Sequence, residues 1–176
     1  RHVGRTPQPF FHFFFRFEFD AYIALVRKSQ RGQFAAQTVI HLDRHARAAR
    51  RAGLTLRFAT KSVRVRGLLP RLLALDVAKG LLCYSAREAR WLADCGFDDL
   101  FVAYPTLRHR DLEALAQLVA DGRVITVAVD GEESVAAAER ASAVAGAALP
   151  VAVCADMSLR GLGGVIHVGV RRSPLA

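Results

Sequence analysis

From Thr38 onward, short apolar runs rich in β-branched residues alternate with Ala/Leu/Arg stretches at helical spacing. Strand-like runs followed by amphipathic helical stretches are the pattern of βα units feeding a parallel sheet. The expected strands are Thr38–Leu42, Thr55–Ala59, Gly80–Tyr84, Leu100–Tyr104, Val124–Val129 and Val151–Ala155. Asp43 is expected to cap a helix that runs through Ala46 and Ala49 to a stop at Gly53, because its carboxylate can accept from amides of the first turn. Ser85 is expected to cap Ala86–Cys95, which stops at Gly96. Leu112–Ala120 stops near Gly122, and Glu133–Ala145 stops at Gly146.

The residues at the C-terminal ends of the strands are Asp43, Lys61, Tyr84, Tyr104, Asp130 and Asp156, at spacings of 18, 23, 20, 26 and 26 residues. Such spacings suit βα units joined by short loops, in either an open doubly wound sheet or a barrel. A nucleotide-binding sheet needs a glycine-rich turn after its first strand, and Leu42-Asp43-Arg44-His45-Ala46 has no glycine. Polar or ionisable residues instead mark every strand end, where a (β/α)8 barrel gathers its active site. The fold class is therefore α/β, an incomplete (β/α)8 TIM-type barrel of about six βα units. At about 23 residues per unit, closure requires roughly 45 more residues.

Residues 1–34 differ in style. Seven of the eleven phenylalanines lie between Phe10 and Phe19, and the segment has no clear strand or helix period. It is read as an atypical lead to a domain over 35–176, with extraneous sequence as the plainer reading and a sticky arm or membrane-surface segment as the alternative. Arg1 in place of Met, and a close at Pro174-Leu175-Ala176, add to the expectation of a fragment. The C-terminal part of the barrel and a following β-domain are expected to be absent.

Composition changes this picture little. Of 176 residues 52% are hydrophobic, enough for the core of one domain. The net charge of +9 suggests an anionic partner. Residues 1–75, however, hold 15 basic and 3 acidic side chains, and 76–176 hold 10 and 13, so the excess belongs to the first half. With no aromatic-plus-basic strand, helix-turn-helix or finger spacing, no nucleic-acid partner is expected. Cys83, Cys95 and Cys154 are odd in number and form no CxxC pair, which argues against a disulfide scaffold and fits a reducing cytoplasm. The Phe-rich stretch is broken by His12, Arg16, Glu18 and Asp20, so no apolar run reaches the roughly 20 residues that span a bilayer. No membrane partner is expected.

The chemistry centres on Lys61, which follows the strand Leu56-Arg57-Phe58-Ala59 on the ligand side of a barrel. Partial desolvation and nearby Arg57, Arg64 and Arg66 are expected to disfavour its charge, and a neutral amine is what Schiff-base chemistry with a carbonyl requires. A lysine snorkelling from a barrel rim is the plainer alternative. Arg160, after the sixth strand, could offer a planar fork to a phenolate, carboxylate or phosphate, with an ion pair to Asp156 as its alternative. Tyr84 and Tyr104 could hydrogen-bond a cofactor from adjacent strand ends or simply pack the rim. His41, His45, His109 and His167 have no metal-ligand spacing, and no metal site is assigned.

Three stretches carry a resemblance: Arg57-Phe58-Ala59-Thr60-Lys61-Ser62-Val63-Arg64, Gly80-Leu81-Leu82-Cys83-Tyr84-Ser85-Ala86-Arg87-Glu88-Ala89, and Gly96-Phe97-Asp98-Asp99-Leu100-Phe101-Val102-Ala103-Tyr104-Pro105. Val153-Cys154-Ala155-Asp156 through Arg160, and His167 through Pro174, continue it. The chain resembles the amino acid deaminase/aldolase branch of the pyridoxal-phosphate enzymes with the alanine-racemase-type barrel (fold type III), related to D-threonine aldolase and D-serine dehydratase. The resemblance implies that Lys61 holds pyridoxal 5'-phosphate as a Schiff base and that Arg160 reaches its phenolic oxygen. It further implies a lyase or aldolase acting on D-3-hydroxy amino acids, by loss of water or retro-aldol cleavage. A divalent metal is implied only for the full-length protein, whose phosphate-binding loops and metal ligands lie in the later part. The amino acid substrate is the expected partner, a homodimer is compatible with the full-length protein, and the fragment alone is expected to be inactive. A non-catalytic pyridoxal-phosphate carrier of the same barrel type and an amino acid racemase are the alternatives.

Overall fold

In the computed structural model, backbone is described for residues 31–155, 159–161 and 166–168, and side chains for 41–155. The Phe-rich lead before residue 31 lies outside the described residues. Two compact units are present: Arg1–Phe58 with Ser62–Lys79, and Ala59–Lys61 with Gly80–Ala176.

Among the described residues, the first element of the first unit is helix α1, Arg31–Ala52. The strand expected at Thr38–Leu42 is instead the middle of this helix, and Asp43 is an interior residue, not a cap. Nothing between Gln33 and Ala52 is a glycine or proline, so the β-branched run Thr38-Val39-Ile40 has no turn to separate it from the Ala-rich stretch. Asp43 pairs with Arg47 one turn later, a contact that only helical spacing provides. The boundary expected at 34/35 falls within α1. Basic Arg50 and Arg51 lie in the last turn, where they complement the helix dipole. Ala46, Ala49 and Val77 form a small core with Leu56 and Leu75 against it. Arg50 also grips Asp76 through two nitrogens at 2.8 and 2.7 Å. After strand β1, Leu56–Ala59, come 3-10 turns at Thr60–Ser62 and Arg66–Leu68 and the short helix α2, Leu69–Leu73.

The second unit continues from strand β2, Ala78–Cys83, with helix α3, Ala86–Asp94; strand β3, Leu100–Val102; helix α4, His109–Ala120; strand β4, Ile125–Val129; helix α5, Glu132–Ala145; and strand β5, Val151–Val153. A separate antiparallel pair follows, β6 at Leu159–Gly161 and β7 at Ile166–Val168. The five-stranded sheet has the order β1-β2-β3-β4-β5. Its β2–β3, β3–β4 and β4–β5 pairings are parallel, with Leu81 opposite Leu100, Leu100 opposite Ile125 and Val127 opposite Val151. Strand order that follows chain order without reversal is compatible with part of a TIM-like barrel, whereas a doubly wound sheet reverses at a switch point. Five strands of the six expected are thus in place, the first having been absorbed into α1.

Burial alternates at the end of β2 and at the start of β4. Leu81, Cys83, Leu100, Val102, Ile125, Val127 and Val129 are all at most 2% exposed; Leu82 and Thr126 between them are half-buried, whereas Phe101 and Ala128 are buried as well, so β3 and the end of β4 are covered on both faces. The helices supply Leu92, Leu112, Leu115 and Ala138 to the core, and α3 packs on α4 and α4 on α5. Gly53, Gly96, Gly122 and Gly146 all take positive φ, at 64°, 89°, 90° and 67°. Glycine adopts this backbone without steric cost, which is why the expected helix stops hold. Among the described residues no helix is long and apolar enough to cross a membrane.

Candidate functional site

The site lies in the second unit, where the chain leaves the C-terminal ends of consecutive strands. Beyond β1 the backbone tightens into the 3-10 turn Thr60–Ser62, which turns Thr60 inward and Lys61 outward. Thr60 is 4% exposed, and its hydroxyl donates to the Leu82 carbonyl of β2 at 3.2 Å. Lys61 is exposed, so the partial desolvation expected for it is not present. The tight turn is the reason: it fixes the neighbour of Lys61 in the interior and leaves the lysine at the surface.

Lys61 Nζ stands 5.7 Å from the centre of the Tyr104 ring, close enough for a cation–π attraction. The Tyr104 and Tyr84 rings meet at 4.9 Å between centroids with a 53° tilt, a packing favoured by the ring quadrupoles. Both tyrosines keep about half of their surface exposed, 57% for Tyr84 and 44% for Tyr104. The structure therefore brings together three of the four residues singled out from the sequence. The fourth, Arg160, lies in β6 with its backbone opposite His167, and its side chain lies outside the described residues, as does Asp156.

Local capping holds Tyr84 in place. Ser85 accepts from the Glu88 amide at 3.3 Å as the expected N-cap of α3, and Glu88 in return accepts from the Tyr84 amide at 2.6 Å. Two otherwise unpaired amides at the start of the helix are thereby satisfied, which fixes the direction in which the chain leaves β2. At the next strand end, the Arg108 amide donates to Thr106 Oγ1 at 3.2 Å before α4 begins. After β4, the amides of Asp130 and Gly131 both donate to Ser134 Oγ, at 3.0 and 3.1 Å.

Beside the two tyrosines is a hollow of about 290 Å³, lined among others by Tyr84, Arg87, Tyr104, Thr106, Arg108 and Asp111. Asp111 pairs with Arg108 at 3.3 Å and with Arg87 at 3.8 Å. Sequence reasoning gave no role to these arginines or to Asp111. The signal was there in their positions, since Arg87 and Arg108 lie just past two successive strand ends and Asp111 follows Arg108 at helical i,i+3 spacing. Among the described residues no group of three His, Cys, Asp or Glu side chains is gathered to hold a metal ion.

No family profile matches the chain, and no curated protein matches it by sequence. The solved structure of D-threonine aldolase from Filomicrobium marinum is similar to it, with a TM-score of 0.59 and 30% sequence identity over 64% of this chain. The match covers 30% of that aldolase, so the chain spans less than a third of its length.

Proposed function

We propose that this chain carries the lysine-bearing part of a pyridoxal-phosphate-dependent lyase or aldolase for D-3-hydroxy amino acids, with Lys61 as the residue that binds the cofactor covalently. The observation that carries the reading is the grouping of Lys61, Tyr104 and Tyr84 at successive strand ends. The likeness to a D-threonine aldolase supports the same reaction class. The residues present fit the cofactor: a surface-accessible primary amine can reach a carbonyl, and an aromatic wall beside it can flank a flat heteroaromatic ring.

When bound, pyridoxal phosphate supplies an electron sink for the charge that develops at Cα of an amino acid. The chain's own part is to position and to move protons. Thr60, fixed to the Leu82 carbonyl, sets the point from which the Lys61 side chain projects. Lys61 would hold the cofactor, and its amine is the group proposed to move a proton at Cα, taking it for loss of water or supplying it to Cα after retro-aldol cleavage, in which the proton removed is that of the β-hydroxyl. Tyr104 and Tyr84 limit the approach on one side, and Arg160 is proposed to meet the phenolic oxygen of the cofactor. The metal proposed for the full-length enzyme would draw its ligands from the later part of that protein.

The test is turnover by the longer reading frame supplied with pyridoxal phosphate and D-threonine or D-serine. Release of an aldehyde or of ammonia, lost in Lys61→Ala, is the expected result. Racemisation without cleavage would overturn the lyase reading in favour of a racemase, and a bound cofactor with no product from any D-3-hydroxy amino acid, acidic ones included, in favour of a carrier.

A further inference from the structure

The hollow between the loops that enter α3 and α4 has a charge pattern unlike that around Lys61. Two guanidinium groups, Arg87 and Arg108, share one carboxylate, Asp111, so the cluster keeps one net positive charge. Both arginines are largely exposed, 71% and 66% at the side chain, while Asp111 is only 19% exposed. Asp111 therefore sits behind the pair as an anchor, and the outward faces of the guanidinium groups remain open to an incoming anion. A planar fork of this kind recognises a carboxylate by paired N–H···O bonds. A single residual charge suits a singly charged carboxylate better than a phosphate dianion, which would leave the site negative. At about 30 Å³ per water molecule, a hollow of about 290 Å³ has room for a short polar side chain.

Tyr104 belongs both to the contact with Lys61 and to the wall of the hollow, whereas Lys61 does not line the hollow. The group assigned to the arginines is accordingly taken to be one on the side chain of the substrate and not the carboxylate on the reacting carbon. We propose that Arg108 and Arg87 form a subsite for the distal, side-chain carboxylate of a small acidic amino acid, and that this subsite biases the enzyme toward dicarboxylic substrates. The proposal rests on Lys61 being the reacting amine, and it is tested so that the two claims fail separately.

Trp91, the chain's one tryptophan, lies on α3 four residues after Arg87 and is half exposed, so its fluorescence reports on the subsite. The chain is titrated with succinate and, separately, with inorganic phosphate, in the wild type and in Arg108→Gln, Arg87→Gln and Lys61→Ala. A saturable response to succinate, weakened at least tenfold in both arginine variants and retained in Lys61→Ala, is expected. Arg108→Lys, which keeps the charge but not the fork, should lie between wild type and Arg108→Gln. An unchanged succinate response in Arg108→Gln and Arg87→Gln, no response in the wild type, or tighter binding of phosphate than of succinate overturns the proposal. Borohydride fixation of pyridoxal phosphate on the same proteins separates the claims: the wild type and Arg108→Gln should both be labelled at Lys61, and a wild type that binds succinate but is not labelled at Lys61 would count against the role of Lys61 alone.

Discussion

Thr60 is the residue through which the fold controls the position of Lys61, and its replacement by valine tests that link. Valine has nearly the same shape as threonine but no hydroxyl, so Thr60→Val removes the 3.2 Å bond to the Leu82 carbonyl while filling the same buried space. The net worth of such a bond is about 1 kcal/mol, and leaving a shielded carbonyl short of a partner can raise the cost to about 2 kcal/mol. With a urea slope of about 2 kcal/mol per molar, the unfolding midpoint should fall by roughly 0.5–1 M with the slope unchanged. Thr60→Ser keeps the hydroxyl and loses one methyl group, about 0.8 kcal/mol of buried apolar surface, so it should be destabilised without disturbing the turn. The second readout is the rate at which borohydride fixes pyridoxal phosphate on Lys61, expected to drop several-fold in Thr60→Val and to stay near wild type in Thr60→Ser. Equal midpoints and equal labelling rates for Thr60→Val and wild type would refute the claim that this bond sets the turn.

Three further outcomes follow from the packing and charges. Leu115, fully buried on α4, should cost about 2–5 kcal/mol when replaced by alanine, measured by urea unfolding. Ser85→Ala removes the N-cap of α3 and should cost about 1 kcal/mol, with Ser85→Asp recovering most of it in the same assay. Burial, followed by the charges of His41 and Arg44, holds the pKa of His45 below its ordinary 6.5. The unfolded chain then takes up the proton more readily, so stability is full above about pH 6.5 and declines as pH falls toward the folded pKa. The hydrogen bond from Arg50 holds the Asp76 carboxyl below its ordinary range, so that pair keeps its contribution until the pH is well into the carboxylate range. A fall in the urea midpoint between pH 7 and 5.5 that is smaller in His45→Gln than in wild type is therefore expected, and equal falls would remove His45 from the account.

Most of the βα alternation was legible because its punctuation is local. Gly53, Gly96, Gly122 and Gly146 stop helices through their own backbone freedom, and Ser85 caps α3 through its own hydroxyl. Thr38–Leu42 was misread because a short β-branched run can serve a buried strand or a helix equally well, and no turn residue separated it from Asp43 and Arg47. Tyr84 and Tyr104 could be placed at neighbouring strand ends from their spacing, and their rings meet there. The Thr60 hydroxyl bond to β2 depends on a 3-10 turn with no strong sequence signal, so it could not be read in advance. The Arg87–Asp111–Arg108 cluster joins residues 24 positions apart and exists only once β2 and β3 lie side by side.

The central claim concerns one amine, and the composition makes it directly measurable. Lysines occur only at Lys28, Lys61 and Lys79, so reduction with borohydride in the presence of pyridoxal phosphate, followed by peptide mapping, has few side-chain amines to distinguish. The account predicts preferential labelling of the peptide that contains Lys61, saturating with pyridoxal phosphate and abolished at that site in Lys61→Ala without a rise at Lys28 or Lys79. Labelling spread evenly over the three lysines and growing in proportion to reagent would contradict it.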